Sequence, residues 1–355
     1  MKNVALYPFN KISQGLIRFR DLLDFNIKSV IDFSLNIGED VGKVISGNPI
    51  GIYVVDDIEK ALEDVDTLIL NDGGAPIHHF ADIYSKYNLQ ERWKEVLSKA
   101  TDLGIKIVST HEITNPDLSR WIKDNNIVLH TYTKTKEQVL EYIENTKKIE
   151  TTSESKKIGI YGTRSCIGKF TAQMYLLRAL KKKGCKASAL ITEPTAELFH
   201  QYDVDPIRFL EILPDPIKYN QYTKALATNC TNNGDEYIIM ASQQGLAYNG
   251  KDNIYGNLIR LSNMVEYDPD VILLIVGYDD DDAIKDCLEL IRIYCEGKKP
   301  LAFLLPDKIE VGYGQYEEKT MEDIQKRKEQ LMEKFDVRMV ESIKCIENII
   351  NIIGK

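Results

Sequence analysis

Short apolar runs alternate with longer segments of helical periodicity in the first 145 or so residues. Runs rich in β-branched and aromatic residues, with the length of strands, lie at 3–8, 29–34, 50–55, 66–71, 105–110 and 127–132. Between most of them lie segments with the spacing of amphipathic helices, at 15–24, 57–64, 80–102 and 117–125. Strands that alternate with helices form βαβ units, so this half predicts a mainly parallel sheet with helices on both faces.

A polar stretch then interrupts the pattern. Residues 144–157, ENTKKIETTSESKK, contain almost no large apolar side chains, and their second half is typical of an exposed linker. The pattern restarts with strands at 157–161, 187–192, 237–242, 271–276 and 301–305 and helices near 169–183, 254–266, 283–296 and 321–334. The chain therefore predicts two doubly wound, mainly parallel-sheet α/β domains, at 1–147 and 157–355, joined by a linker at 148–156.

Length and composition fit this division. A chain of 355 residues with 43% hydrophobic and 28% charged residues is typical of a globular protein with two cores. The start, MKNVALYPFN, lacks the apolar segment of a signal peptide, and the longest apolar run, 271–276, is too short to cross a bilayer. We therefore expect a soluble, cytoplasmic protein that does not use a membrane.

The net charge and the spacing of the cysteines exclude further classes of function. A net charge of −9 argues against a nucleic-acid partner, which calls for a basic surface. The six cysteines show no C-x-x-C pairing or metal-site spacing, which indicates reduced thiols in a reducing compartment. A nucleotide is still compatible with an acidic protein, because a single loop can bind phosphate locally.

One segment has the composition of a phosphate-binding loop. Residues 158–171 read IGIYGTRSCIGKFT, so that a strand runs into Gly162 and a short loop ends at Gly168 and Lys169, which open a helix. Glycines allow a sharp turn and close approach of a ligand, and the loop N–H groups with the helix N-terminus attract phosphate. The predicted nucleotide contacts are Gly162, Thr163, Arg164, Ser165, Cys166, Ile167, Gly168, Lys169, Phe170 and Thr171.

The match to the usual pattern is imperfect at two positions. The spacing G-x5-G-K is one residue longer than G-x4-G-K, and Phe170 stands where Ser or Thr normally binds Mg²⁺. Thr171, one position later, is the candidate metal ligand. The alternative interpretation is a glycine-containing turn between a strand and a helix, in which Lys169 is a solvated first-turn residue.

The longer loop resembles that of the dethiobiotin-synthetase group of P-loop enzymes, G-T-x-x-x-V-G-K-T; Gly162, Thr163, Ile167, Gly168 and Lys169 hold the matching positions. The whole layout is similar to a two-domain family with a Rossmann-like N-domain and a dethiobiotin-synthetase-like C-domain. Some of its members are D-glutamate N-acetyltransferases, and its loop resembles G-T-D-C-A-V-G-K-M-T. The opening NVALYPFNKISQGLIRFRDLL also resembles clostridial peptide maturation proteins. The resemblance implies a Rossmann-like first domain and a P-loop NTPase-like second domain.

Two further turns extend this resemblance. The segment TEPTA, which contains Thr192, Glu193 and Thr195, is the counterpart of a T-G-Q-T-G-like turn in that family. The segment SQQGL, which contains Ser242 and Gln244, is the counterpart of an E-G-Q-G-S-like turn. The resemblance implies Lys169 and Glu193 as catalytic residues and Thr192, Thr195 and Gln244 as substrate contacts. Ser242 stands where the family has the acid that holds Mg²⁺ or acts as a base.

Further polar residues follow predicted strands. The four aspartates at 279–282 are either a Mg²⁺ or cationic-substrate site or, as we favour, the start of the next helix, which aspartate caps well. His78 and His79 are candidate substrate contacts in the first domain, although loop histidines are often only solvated. The turn after the first strand lacks G-x-G-x-x-G, so nothing supports a dinucleotide site there.

These features favour a P-loop enzyme that uses ATP with Mg²⁺ to transfer a phosphoryl or acyl group to a small acid, amino acid or peptide, in a role that includes natural-product peptide maturation. One alternative is an N-acyltransferase whose loop holds the phosphates of acetyl-CoA or another acyl-CoA, which does not require Mg²⁺. The other is a non-catalytic binding or scaffold subunit of a peptide maturation system, which the displaced threonine and the missing acid would fit. A homo-oligomer is open in each case.

Overall fold

The computed structural model describes residues 1–74, 85–149, 154–205, 216–247, 254–312 and 315–353, without the side chains of 216, 254–258, 310–312 and 315–316. The predicted site residues His78 and His79 lie outside the described residues. The described chain forms two compact units, one of Met1–Thr133 with Glu197–Phe199 and one of Lys134–Ala196 with His200–Lys355. Each unit contains one parallel sheet, which confirms the predicted fold class.

The sheet of the first unit has six parallel strands in the order β3-β2-β1-β4-β5-β6. This order is that of dinucleotide-binding Rossmann folds, and the prediction of a Rossmann-like sheet is confirmed. Its strands are β1 (Asn3–Tyr7), β2 (Asn26–Ile31), β3 (Val54–Val55), β4 (Thr67–Leu70), β5 (Lys106–Ser109) and β6 (Leu129–Thr131).

Helices α1 (Lys11–Arg18), α2 (Val41–Ser46), α3 (Ile58–Ala61), α4 (Leu89–Asp102) and α5 (Pro116–Asp124) complete the described part of this unit. Helix α1 begins four residues before the predicted start at 15, because Asn10 caps it with its side chain. On one face of the sheet, Tyr7 and Leu70 pack with Trp93 and Leu97 of α4 in a buried cluster.

The sheet of the second unit has seven parallel strands in the order β15-β12-β11-β7-β10-β8-β9. Its strands are β7 (Lys156–Gly162), β8 (Ala187–Ile191), β9 (Tyr202–Asp203), β10 (Tyr237–Ala241), β11 (Val271–Ile275), β12 (Ala302–Leu305) and β15 (Val340–Ser342). An antiparallel hairpin, β13 (Lys308–Gly312) and β14 (Gln315–Glu318), lies outside the sheet. Strand β7 is therefore central, with Ile158 opposite Ile239 of β10 and Val271 of β11.

Seven helices are described in the second unit: α6 (Lys136–Thr146), α7 (Lys169–Lys182), α8 (Pro216–Asn232), α9 (Ile254–Tyr267), α10 (Asp281–Tyr294), α11 (Met321–Lys334) and α12 (Glu347–Ile353). Helix α6 belongs here because Val139 and Ile143 are buried in one cluster with Leu190 and Leu226. The division between the compact units after Thr133 thus differs from the predicted boundary after residue 147. None of the described helices has the length and apolar character needed to span a membrane.

Candidate functional site

The predicted nucleotide-binding segment, residues 162–171, joins the central strand β7 to helix α7, and we call it the candidate loop. Gly168 is the N-cap of α7 and has a φ of +100°, a left-handed conformation that favours glycine. A Cβ atom at Gly168 would also lie 3.0 Å from Cδ1 of Ile343. Because glycine has no side chain, α7 begins without a side-chain cap.

Lys169 folds back over the candidate loop. Only 6% of this residue is exposed, and its Nζ atom donates a hydrogen bond to the carbonyl oxygen of Arg164 at 2.9 Å. The ammonium group is therefore held against the backbone of the loop, at the positive end of the α7 dipole. Lys169 is therefore not solvated, whereas the alternative interpretation of the segment as a structural turn between a strand and a helix stays open.

The turn after β10 packs directly on the candidate loop. Leu246 donates its N–H to the carbonyl oxygen of Gly162 at 2.8 Å. A Cβ atom at Gly245 would lie 2.7 Å from the carbonyl oxygen of Thr163 and 2.8 Å from Cα of Arg164. Only glycine allows this approach, so Gly245 helps to shape the loop, a role that the sequence analysis did not assign to it.

Two other residues of this turn, Ser242 and Gln244, form side-chain hydrogen bonds. The Ser242 hydroxyl donates to the carbonyl oxygen of Gln244 at 3.1 Å, and Oε1 of Gln244 accepts from Nη1 of Arg260 on α9. Arg260 is buried, and its burial lowers the pKa of the guanidinium. Gln244 thus lies in the turn that contacts the candidate loop, next to a buried cation.

Asp280 brings a carboxylate to the candidate loop. It accepts hydrogen bonds from the Thr163 hydroxyl and, at 3.0 Å, from the N–H of Gly277, while Nε of Arg164 lies 3.6 Å away. Asp280 is also the residue that precedes α10, but its side chain does not cap that helix. The favoured interpretation of 279–282 as a helix start is therefore incomplete, because one of these aspartates bonds to the loop instead.

The remaining predicted site residues differ in solvent exposure and in distance from the candidate loop. Within the candidate loop, Arg164, Ser165 and Cys166 are exposed, Ile167 is buried, and Phe170 and Thr171 are half-buried. Thr192, Glu193 and Thr195 follow β8, which β10 separates from β7, so they lie at the same edge of the sheet but one strand farther away. Thr195 is buried, whereas Thr192 and Glu193 are half-buried.

Comparison with known proteins supports the fold and goes no further. No family model matches the chain, and no curated protein matches it. Among solved structures, the chain is similar to the crystal structure of a DUF1611 family protein from Anabaena variabilis, with a TM-score of 0.67 and 14% identity over 99% of both chains. Likeness at this identity shows the fold alone, so the resemblance to D-glutamate N-acetyltransferases and to peptide maturation proteins stays a prediction.

Proposed function

We propose that the chain is a P-loop enzyme that binds ATP at residues 162–171 and transfers a phosphoryl or acyl group to a small acid, amino acid or peptide. The observation that carries this proposal is Lys169, whose buried ammonium group lies 2.9 Å from the Arg164 carbonyl at the uncapped start of α7. A phosphate in that position would interact with the ammonium, with the loop N–H groups and with the helix dipole together.

The neighbouring residues support roles in such a reaction. Phosphoryl transfer relies mainly on positioning and charge neutralisation, so a loop that is held in one shape matters as much as a reactive side chain. The hydrogen bond from Thr163 to Asp280 and the packing of Gly245 both hold the loop. Asp280, after β11 next to β7, and Glu193, after β8 two strands from β7, are carboxylates at this edge of the sheet that can accept a proton from a substrate.

The donor set fits Mg²⁺ that arrives with a nucleotide. Within the ranges described above, no group of three or more His, Cys, Asp or Glu residues could hold a metal ion. Mg²⁺ commonly binds through phosphate oxygens, water and one or two protein oxygens, which is a smaller requirement. Thr171 would supply one such oxygen and Asp280, which accepts from the Thr163 hydroxyl, would supply another, and the ion would neutralise phosphate charge.

A second candidate function is acyl-CoA-dependent acyl transfer. The observation that favours it is Ser242, which places a hydroxyl group at the end of β10, next to β7, where the related P-loop enzymes have an acid. The phosphates of CoA need cations but no Mg²⁺, and Lys169 and Arg164 would provide two. In this alternative the same loop holds the pyrophosphate or the 3′-phosphate of the cofactor.

Ligand-induced stabilisation separates these functions. We expect ATP with Mg²⁺ to raise the melting temperature, because a ligand that binds only the folded state stabilises it. Stabilisation by acetyl-CoA without any effect of Mg²⁺ would favour the acyltransferase, and ATP binding without consumption would favour the non-catalytic subunit. If ATP, GTP, CoA and acetyl-CoA all leave the melting temperature unchanged, the proposed nucleotide site is wrong.

A further inference from the structure

The turn after β10, residues 242–246, contacts the candidate loop at the same residue as Lys169 does. Gly245 of this turn lies so close that a Cβ atom added to it would be 2.8 Å from Cα of Arg164. Nζ of Lys169 donates to the carbonyl oxygen of Arg164 at 2.9 Å. In P-loop proteins this lysine contacts the β- and γ-phosphates of the nucleotide. The turn therefore lies beside the part of the proposed site that would hold the terminal phosphate.

Gln244 of this turn is held by a buried arginine. Nη1 of Arg260, on α9, donates a hydrogen bond to Oε1 of Gln244, and Arg260 is only 6% exposed. Helix α9 is fixed on the sheet, because Ile259 and Met264 are buried in two different apolar clusters. An arginine that projects from a fixed helix can hold its partner in one orientation.

The chemistry of arginine determines which end of the Gln244 amide faces it. A guanidinium has N–H donors and no acceptor, so Arg260 can bond only to the amide oxygen. The amide nitrogen, which carries two N–H groups, therefore points away from Arg260. Gln244 is half-buried at the carboxyl end of β10, so part of the residue is accessible to a ligand. A ligand group that meets this amide nitrogen must accept hydrogen bonds, as phosphate oxygens do.

We propose that Gln244, oriented by Arg260, donates a hydrogen bond to the terminal phosphate of the bound nucleotide, so that the site distinguishes ATP from ADP. Gln244 is then a ligand contact, and Arg260 is a positioning residue. The inference rests on the nucleotide site proposed above and adds the γ-phosphate as the group that the turn recognises. The charge of Arg260 supports it, because a hydrogen bond from a cation polarises the amide and strengthens the bond that its N–H group donates.

Calorimetric titration of the full chain with ATP and with ADP, both with Mg²⁺, tests this role. The wild-type chain should bind ATP more tightly than ADP. Gln244→Glu keeps an oxygen acceptor for Arg260 but removes the N–H donors, so ATP affinity should fall at least about tenfold, with a much smaller change for ADP. Gln243→Glu is the matched control, because it introduces the same charge at the neighbouring exposed position. It should leave the ratio of the two affinities unchanged.

The same titrations test Arg260. Arg260→Met removes the donor to Gln244 and should lower ATP affinity without a comparable loss for ADP. Arg260→Lys retains a cationic donor and should restore part of the preference for ATP. Thermal melting reports whether each variant folds, and Gln244→Glu decides the proposal if Arg260→Met does not.

The outcomes separate this inference from the nucleotide site itself. A wild-type chain that binds neither nucleotide would refute both. A wild-type chain that binds ATP and ADP equally, an equal loss of both affinities in Gln244→Glu, or the same loss in Gln243→Glu would overturn the role of Gln244 alone. An unchanged preference for ATP in a folded Arg260→Met chain would show that the bond only ties the turn to α9.

Discussion

In the two units, the helix that follows the first strand begins with a different kind of N-cap. After β1, Asn10 accepts hydrogen bonds from the N–H groups of Ile12 and Ser13 at 2.9 and 3.1 Å, and Ser13 accepts the N–H of Asn10 in return. After β7, Gly168 occupies the corresponding position without a side chain, and Lys169 follows it. The start of α1 is therefore closed by its own cap, whereas the start of α7 is left to the loop and its lysine.

Each sheet also has an aspartate after a strand that neighbours its first strand, and the two aspartates have different hydrogen-bond partners. Asp32, after β2, accepts the N–H groups of Phe9 and Ser34 at 3.1 and 2.8 Å and the Ser34 hydroxyl at 2.7 Å. Asp280, after β11, accepts the Thr163 hydroxyl and faces Arg164. Both turns lie where α/β sheets often bind ligands. The Asp32 carboxylate bonds to residues 9 and 34, whereas Asp280, besides the N–H of Gly277, contacts the predicted phosphate loop. Topology alone does not make a binding site; the residues at the turn do.

The largest effect is expected at Lys169. Lys169→Ala removes a charge-assisted contact to phosphate, of a kind worth about 1.5–3 kcal/mol. Nucleotide affinity, measured by calorimetry, should therefore fall about ten- to hundredfold. Lys182→Ala is the matched control, since Lys182 is exposed near the far end of the same helix. Equal effects of the two substitutions would contradict the assignment of the loop.

The next largest effect is expected at Asp32, on the stability of the first unit. Asp32→Ala leaves the half-buried N–H groups of Phe9 and Ser34 without their acceptor, and each costs up to about 3 kcal/mol, the upper end for a fully buried group. Urea unfolding should show this loss, whereas nucleotide affinity should not change. Asp280→Ala, the matched change in the other unit, should reduce nucleotide affinity. Weaker nucleotide binding by the Asp32→Ala protein, with unchanged binding by the Asp280→Ala protein, would contradict these roles of the two carboxylates.

A smaller effect is expected at the cap of α1. Asn10→Ala should lower the free energy of unfolding by about 0.5–2 kcal/mol, because the first-turn N–H groups lose their acceptor. Denaturant unfolding measures this change. If Asn10→Ala were neutral for stability but altered ligand binding, the start of α1 would be a binding site rather than a closed helix end.

The smallest perturbation is chemical labelling. Cys166 in the candidate loop and Cys345 outside it are both exposed cysteines that form no disulfide bond among the described residues. Bound nucleotide should slow the alkylation of Cys166 by iodoacetamide and leave that of Cys345 unchanged, as mass spectrometry of the labelled peptides would show. Protection of both cysteines, or of neither, would argue against a ligand seated on the loop.

Much of the fold follows from local patterns. Helix α11 has the predicted bounds, Met321–Lys334, because Thr320 and Asp323 form a capping box that marks its start. Apolar runs predict the buried strands β7, β8, β10 and β11. Helix α8 was not predicted, because its Asn, Thr and Tyr residues are poor helix formers; Tyr222 and Leu226 stabilise it through burial instead.

The site is only partly predictable from the sequence, because some of its contacts join residues that are far apart in the chain. The candidate loop is one continuous segment, so the spacing of its glycines and lysine is enough to predict phosphate binding. The bond from Thr163 to Asp280 joins residues 117 positions apart, and it depends on β11 lying next to β7. Strand order is set by packing of the whole sheet, so nothing in the local pattern at 279–282 could identify which aspartate reaches the loop.

Hydrogen exchange with and without ATP and Mg²⁺ compares the turns after β1 and β7 in one experiment and so tests whether nucleotide binds at residues 162–171. Our expectation is slower amide exchange in residues 162–171 and no change in residues 8–14, where the Asn10 side chain already accepts the first N–H groups of α1. Slower exchange in residues 8–14 alone, or no change in either segment at saturating nucleotide, would contradict it.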